Sequence, residues 1–189
     1  MNDNIDDLDL KLVLQLQEDG RATITELAEK VGSSRPTVTN RLKRLMDEEL
    51  VIVTGGVNMA KFGYKMACIG LEVKNSETRM DFERCLTHCP RVTNMFRTTG
   101  KANLHLALWG EDDKALHSTV EAMRDAENVD VVYAYYLGTP IHGYMPVKVY
   151  AKDGGAPPCE KNCTDCSKYE NLWCPGCPVS SCYRNPLLK

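Results

Sequence analysis

Apolar positions in the first fifty residues recur with a helical period. Leu8, Leu12 and Leu16 return every fourth residue. Ile24, Leu27, Ala28 and Val31 follow an i, i+3, i+4, i+7 pattern, and Val38, Leu42 and Leu45 repeat it. The spacing predicts three helices. Asp19-Gly20 breaks the first, and Gly32-Ser33-Ser34 breaks the second and supplies a serine cap for the third. Pro36 falls in the first turn of that third helix, where a missing N–H costs least. Two short helices joined by a tight turn containing Gly form a helix-turn-helix pattern.

From Tyr64 the period shortens to that of a strand. Ala67, Ile69, Leu71 and Val73 alternate along one strand, and Phe82, Cys85, Leu86 and Cys89 then share a helix face that ends at Pro90. Val92, Asn94, Phe96 and Thr98 predict a second strand. Leu104, Leu106 and Leu108 predict a third, after a turn at Gly100. A helix through Leu116, Val120 and Met123 precedes a fourth strand through Val131, Tyr133, Tyr135 and Leu137. The order βαββαβ implies a ferredoxin-like sandwich, with an antiparallel sheet and helices on one face. Residues 141–151 read as a further edge strand, since Pro146 suits an edge. The fold class is therefore α+β. A helix-turn-helix (winged-helix-like) domain spans residues 1–54, a hinge 55–63, and the ferredoxin-like effector and oligomerisation domain 64–152. A linker over 153–158 then leads to a small metal-bound, cysteine-rich tail over 159–189.

Composition narrows the picture. The chain has 189 residues, of which 43% are hydrophobic and 26% charged. These values exclude a disordered, collagenous or membrane-spanning chain. The acidic start (MNDNIDDLDL) is unlike a secretory signal and predicts a cytoplasmic protein. Net charge is −3, which excludes a uniformly basic surface but not a local patch. Residues 33–45 supply such a patch, with Arg35, Arg41, Lys43 and Arg44 and no acid. On charge alone a solvated helix face is as good a reading. The helix-turn-helix context favours double-stranded DNA, with Ser33, Ser34, Arg35, Thr37, Thr39, Asn40, Arg41, Lys43 and Arg44 as the contact set.

These residues also carry a family resemblance. The stretch from Leu8 to Ile52 resembles the N-terminal domain of the Lrp/AsnC (feast/famine) transcription regulators. The matching elements are Leu8-Asp9, Asp19-Gly20-Arg21, Glu26-Leu27-Ala28, Val31-Gly32-Ser33 and Arg41-Leu42-Lys43-Arg44-Leu45. NMAKFGYKMACIGLEV resembles that family's hinge strand and first sheet strand, and CPRVTNMFRTTGKANLHLAL its next two strands. The resemblance covers about residues 5–150. It implies a homodimer, or a higher even oligomer, built through the ferredoxin-like domain. It also implies a small-molecule effector, often an amino acid, near Thr99, Gly100 and Asn103. At Asn103 the chain departs from the Gly-x-x-Asp common in that turn. It thus lacks the carboxylate that would meet an amino acid's ammonium group.

Nine cysteines remain to be placed. Cys68, Cys85 and Cys89 fall on apolar faces and read as core, and His88 as at most a minor candidate ligand. Cys159, Cys163, Cys166, Cys174, Cys177 and Cys182 have the spacing C-x3-C-x2-C-x7-C-x2-C-x4-C, with prolines that leave no room for a packed helix or sheet. Two C-x2-C pairs let a turn aim two thiolates at one metal. Six thiols exceed what one structural zinc takes, which favours a [4Fe–4S] cluster over zinc, with Tyr169, Trp173 and Tyr183 as its apolar shell. No catalytic triad, phosphate loop or paired carboxylates appear, so an enzyme is not expected. The reading is a sequence-specific DNA-binding regulator whose tail cluster senses redox state or oxygen. The alternatives are the same regulator with a structural zinc tail and an amino-acid-like effector, or a redox or haem-biosynthesis-related enzyme or partner protein.

Overall fold

The computed structural model describes residues 5–138, 140–143, 145–150 and 155–188. The chain divides into two compact units at Gly55/Gly56. The first unit holds three helices, α1 (Asp7–Glu18), α2 (Ile24–Val31) and α3 (Arg35–Asp47). Each starts on a side-chain cap. Asp6 and Asp9 form a capping box on α1, Thr23 and Glu26 another on α2, and Ser34 accepts from the Thr37 amide to cap α3. Leu12, Leu27, Ala28, Val38 and Leu42 form the core, with Leu16, Ile24 and Val31 packed at its margin. This is the core the helical period predicts.

The second unit is built on four antiparallel strands, β2 (Lys65–Val73), β3 (Val92–Arg97), β4 (Leu104–Gly110) and β5 (Val129–Leu137), in the order β3-β4-β2-β5. Helices α4 (Ser76–Thr87) and α5 (Asp113–Arg124) complete the ferredoxin-like βαββαβ order. Ala67, Ile69 and Leu71 from β2 and Leu104, Leu106 and Leu108 from β4 are fully buried against Leu86, Leu116, Val120 and Met123. Strands β2 and β4 stay strictly in register, Lys65 to Leu71 against Gly110 to Leu104, so their alternation reads cleanly from the sequence.

The two outer strands correct the sequence reading. The register shifts between Val92 and Asn94 on β3, and on β5 between the partners of Gly70 and Leu71. A bulge adds one residue and swaps the faces beyond it. Met95 and Ala134 therefore face the core, while Phe96 and Tyr135 are exposed on the other side. There Phe96, His105, Tyr133 and Tyr135 form a chain of ring contacts across the open face, and the Tyr133 hydroxyl and His105 Nδ1 lie 2.8 Å apart. Gly70 makes room for it, because a Cβ at that position would lie 2.2 Å from the Tyr133 ring.

The expected edge strand over 141–151 also differs. Among the described residues only β6 (Pro146–Val147) is extended. It pairs with β1 (Val57–Asn58) in a separate two-stranded ladder, Val57 opposite Val147. Residues 151–154 lie outside the described residues, so the expected boundary at 152/153 cannot be placed there. The tail belongs to the second unit. Despite its prolines it forms a 3₁₀ turn (Cys163–Asp165) and one helical turn, α6 (Ser167–Glu170). No helix among the described residues is long and apolar enough to cross a membrane.

Candidate functional site

Two surfaces hold the candidate residues, one in each unit. In the first unit α3 begins at Ser34, and its first turn carries no acid. A helix start of this kind presents unpaired N–H groups and a positive dipole end to an anion. Ser34, Arg35, Thr39, Asn40 and Lys43 are exposed, while Ser33 and Thr37 are half-buried. The Thr39 hydroxyl donates back to the Arg35 carbonyl, and Lys43 pairs with Asp47 one turn on.

Arg41 and Arg44 are placed differently from the sequence expectation. Asp9 of α1, fully buried, accepts from Arg41 Nη1 at 3.1 Å and from Arg44 Nη2 at 2.5 Å. Asp6 accepts from Arg41 as well, and Glu48 lies 3.6 Å from Arg44. The Asp9 and Arg41 hydrogen bonds hold the Asp6 carboxyl below the usual range, and Asp6 with Asp9 pushes Arg41 up. Both arginines thus fasten α3 to α1. The exposed reading face is narrower than the basic run suggests. Asp9 itself was hidden from the periodicity because it is a charge inside an apolar stripe.

In the turn between β3 and β4, Asn103 is also committed. Its side chain donates to the Val73 carbonyl at 2.8 Å and accepts from the Val73 amide at 3.0 Å. It therefore acts as an extra rung between the turn and the end of β2. As an expected effector contact, Asn103 is thus already engaged with the backbone of β2. Thr99 and Gly100 are exposed beside it, and a Cβ at Gly100 would meet nothing closer than the Ala102 carbonyl at 4.0 Å.

The second unit's tail is docked, not tethered. Arg91 and Glu111, each with its side chain 6% exposed, form a buried ion pair. Arg91 Nη2 donates to the Gly176 carbonyl at 2.9 Å, and the Tyr183 hydroxyl donates to Glu111. Gly176 has φ 89°, and a Cβ there would lie 3.0 Å from the Cys182 carbonyl, so glycine alone fits. Arg91 also lies 5.4 Å from the centre of the Trp109 ring. Burial and the Glu111 charge push the Tyr183 hydroxyl far up, so it stays a proton donor. Tyr183 is therefore part of the anchor, and Trp173 is 55% exposed, so neither acts as the expected apolar shell. Tyr169 does face the thiols, and it hydrogen-bonds the Cys182 carbonyl.

Docking leaves a cleft of ≈130 Å³ between the tail and the groove of α4 and α5. Every tail cysteine except Cys182 lines it, and so do Cys85, in the last turn of α4, and Cys89, just past the helix end. The sequence reading placed those two in the core. In the structure they are half-buried and look into the cavity. Leu86 alone takes the buried position on that helix. Burial raises the Cys163 thiol, and pushes Cys177 up to about 11. The cations Arg91, Lys161 and Lys168 also line the space. Among the described residues no three Cys, His, Asp or Glu side chains meet at single-ion distance. Four thiolates on one zinc sit about 3.8 Å apart, given Zn–S near 2.3 Å. The thiols here ring a space instead of meeting at a point. An all-sulfur donor set around such a space fits a polynuclear cluster better than one zinc.

The comparisons with known proteins agree with this architecture. Residues 5–46 match the AsnC-type helix-turn-helix domain. The chain is similar to the leucine-responsive regulatory protein of Rhizobium meliloti, 29% identical over 68% of this chain and 85% of that one. It is 33% identical to an uncharacterized HTH-type transcriptional regulator of Pyrococcus furiosus, over 53% of this chain and 68% of the relative. A crystal structure of a Neisseria meningitidis transcriptional regulator in complex with L-methionine superposes with TM-score 0.64 and 26% identity, covering 77% of this chain and 97% of that one. The helix-turn-helix, the ferredoxin-like sheet and these relatives together place the chain in the Lrp/AsnC family of DNA-binding transcription regulators, to which it belongs.

Proposed function

We propose that this regulator reads operator DNA as a dimer and that its docked tail holds a [4Fe–4S] cluster whose state sets DNA affinity. The observation that carries the reading is the thiol-lined cavity. Asn40 and Arg35 suit base edges, while Ser34, Lys43 and the start of α3 suit phosphates. The open face of the sheet, with exposed Phe96, Tyr135 and Leu137, supports self-association through the second unit. A bound cluster supplies a one-electron couple and sensitivity to oxygen. The chain's own part is to hold thiols around one cleft and to set cations beside them. The Arg91–Glu111–Tyr183 anchor fixes that space against α4 and α5. Any change in tail occupancy that alters DNA affinity must, by linkage, be matched by an effect of DNA on the tail. The committed Asn103 side chain leaves fewer free polar groups for an amino-acid effector at the β3–β4 turn.

The test is anaerobic purification with iron, sulfide and zinc quantified beside a visible spectrum, followed by operator binding of loaded and stripped protein. Four irons and four sulfides per cluster, with a shift in DNA affinity on stripping, are expected. Zinc alone would overturn the cluster, and equal DNA binding by both forms would overturn the sensing role.

A further inference from the structure

Cys85 stands in the last turn of α4 and Cys89 two residues beyond its end, and both face the tail. The turn that ends the helix, in which the Cys89 amide donates to the Leu86 carbonyl at 3.0 Å, keeps both thiols on one wall of the cavity. The cavity they line is otherwise walled by tail thiols. Cys85 Sγ donates to the Pro158 carbonyl at 3.4 Å, directly before Cys159, so Cys85 already touches the start of the cysteine run. Of the tail thiols, Cys159 directly follows that contact, and Cys159 and Cys177 line the same cavity as the pair, so the four come from three segments distant in sequence.

We propose that the tail's metal centre is composite: Cys85 and Cys89 of the ferredoxin-like domain ligate it together with Cys159 and Cys177. This rests on the reading that the tail binds a thiolate-held metal, and it deepens that reading by naming ligands outside the tail. Ligation from α4 makes the centre a clamp between tail and helix, so that metal loading is felt in the domain expected to carry the oligomer interface.

The experiment compares full-length wild type, Cys85→Ser/Cys89→Ser and Cys68→Ser, all reconstituted anaerobically with iron and sulfide. Cys68 lies on β2, away from the cavity, and controls for loss of a thiol alone. Iron and sulfide per chain are expected to fall by half or more in the double variant and to stay unchanged in Cys68→Ser. Unchanged stoichiometry and visible spectrum in a folded double variant overturn the inference. If the double variant misfolds, alkylation of the wild type decides. Cys85 and Cys89 should react at least tenfold more slowly in loaded than in chelator-stripped protein, and equal rates overturn the proposal. A wild type that takes up no metal removes the underlying reading instead, so the two failures are distinguishable.

Discussion

Replacing Glu111 by Ala strands the Arg91 guanidinium in the tail interface. Its side chain is 6% exposed, and its remaining partners are one carbonyl, that of Gly176, and the face of Trp109. Removing one member of a buried pair costs about 3–5 kcal/mol, mostly because the other charge is left uncompensated. The Tyr183 hydroxyl loses its acceptor at the same time. For a unit of this size that loss lowers the unfolding midpoint by on the order of 10–20 °C. The measurement is thermal and urea unfolding followed by circular dichroism, on metal-free protein under reductant, so that bound metal does not mask the difference. The double variant Arg91→Met/Glu111→Leu removes both charges and should return to within about 1.5 kcal/mol of wild type. Limited proteolysis should cut beyond residue 150 faster in Glu111→Ala than in either. A Glu111→Ala protein within about 0.5 kcal/mol of wild type, the range of ordinary surface changes, would refute the anchor.

Four further outcomes follow from the same geometry. Asp9→Ala should destabilise the first unit by about 3 kcal/mol or more, since it unpairs two arginines at a buried carboxylate, and α-helical signal on heating reports it. Lys43→Ala should weaken operator binding alike on all sequences and flatten the salt dependence by about one unit, whereas Asn40→Ala should relax sequence preference. Gly70→Ala forces Tyr133 off its site and should cost about 1–3 kcal/mol, with a measurable loss of dimer by sedimentation. Asp6 and Glu26 have carboxyls held below their ordinary values of 3.8 and 4.5, chiefly by helix-cap hydrogen bonds. Their contribution is complete above those values and is lost as pH falls through the lowered ones, so acid should fray α1 and α2 below about pH 4.

Much of the fold is legible in the sequence, because the central elements obey one period from end to end. Strands β2 and β4 keep register without interruption, and every alternate residue of their apolar sets is buried. Strands β3 and β5 do not, since a single bulged residue turns Phe96 outward and brings Met95 in, and no residue type in that stretch announces the bulge. The candidate sites divide in the same way. A basic run locates α3 but cannot say that Arg41 and Arg44 lean back onto Asp9, because that depends on the packing of a helix thirty residues away. Tail spacing marks the thiols. Cys85 and Cys89 stand four apart in the sequence and read with Phe82 and Leu86 as one apolar helix face, whereas Cys89 lies past the helix end and the tail covers both thiols. Arg91 and Glu111 carry no local signal, since each acquires its meaning only from the other and from Gly176.

The small ladder between Val57 and Val147 has an architectural consequence. It brings the entry and exit of the sheet domain to one place, as in modules that tolerate insertion into a host or joining of their ends. Material appended behind residue 147 therefore leaves from the same gate by which the chain arrives, without threading the sheet or capping its aromatic face. A lineage can lengthen or exchange such an extension while the ninety or so residues between the gateposts keep their topology, which makes this end of the domain the natural port for acquiring a new input.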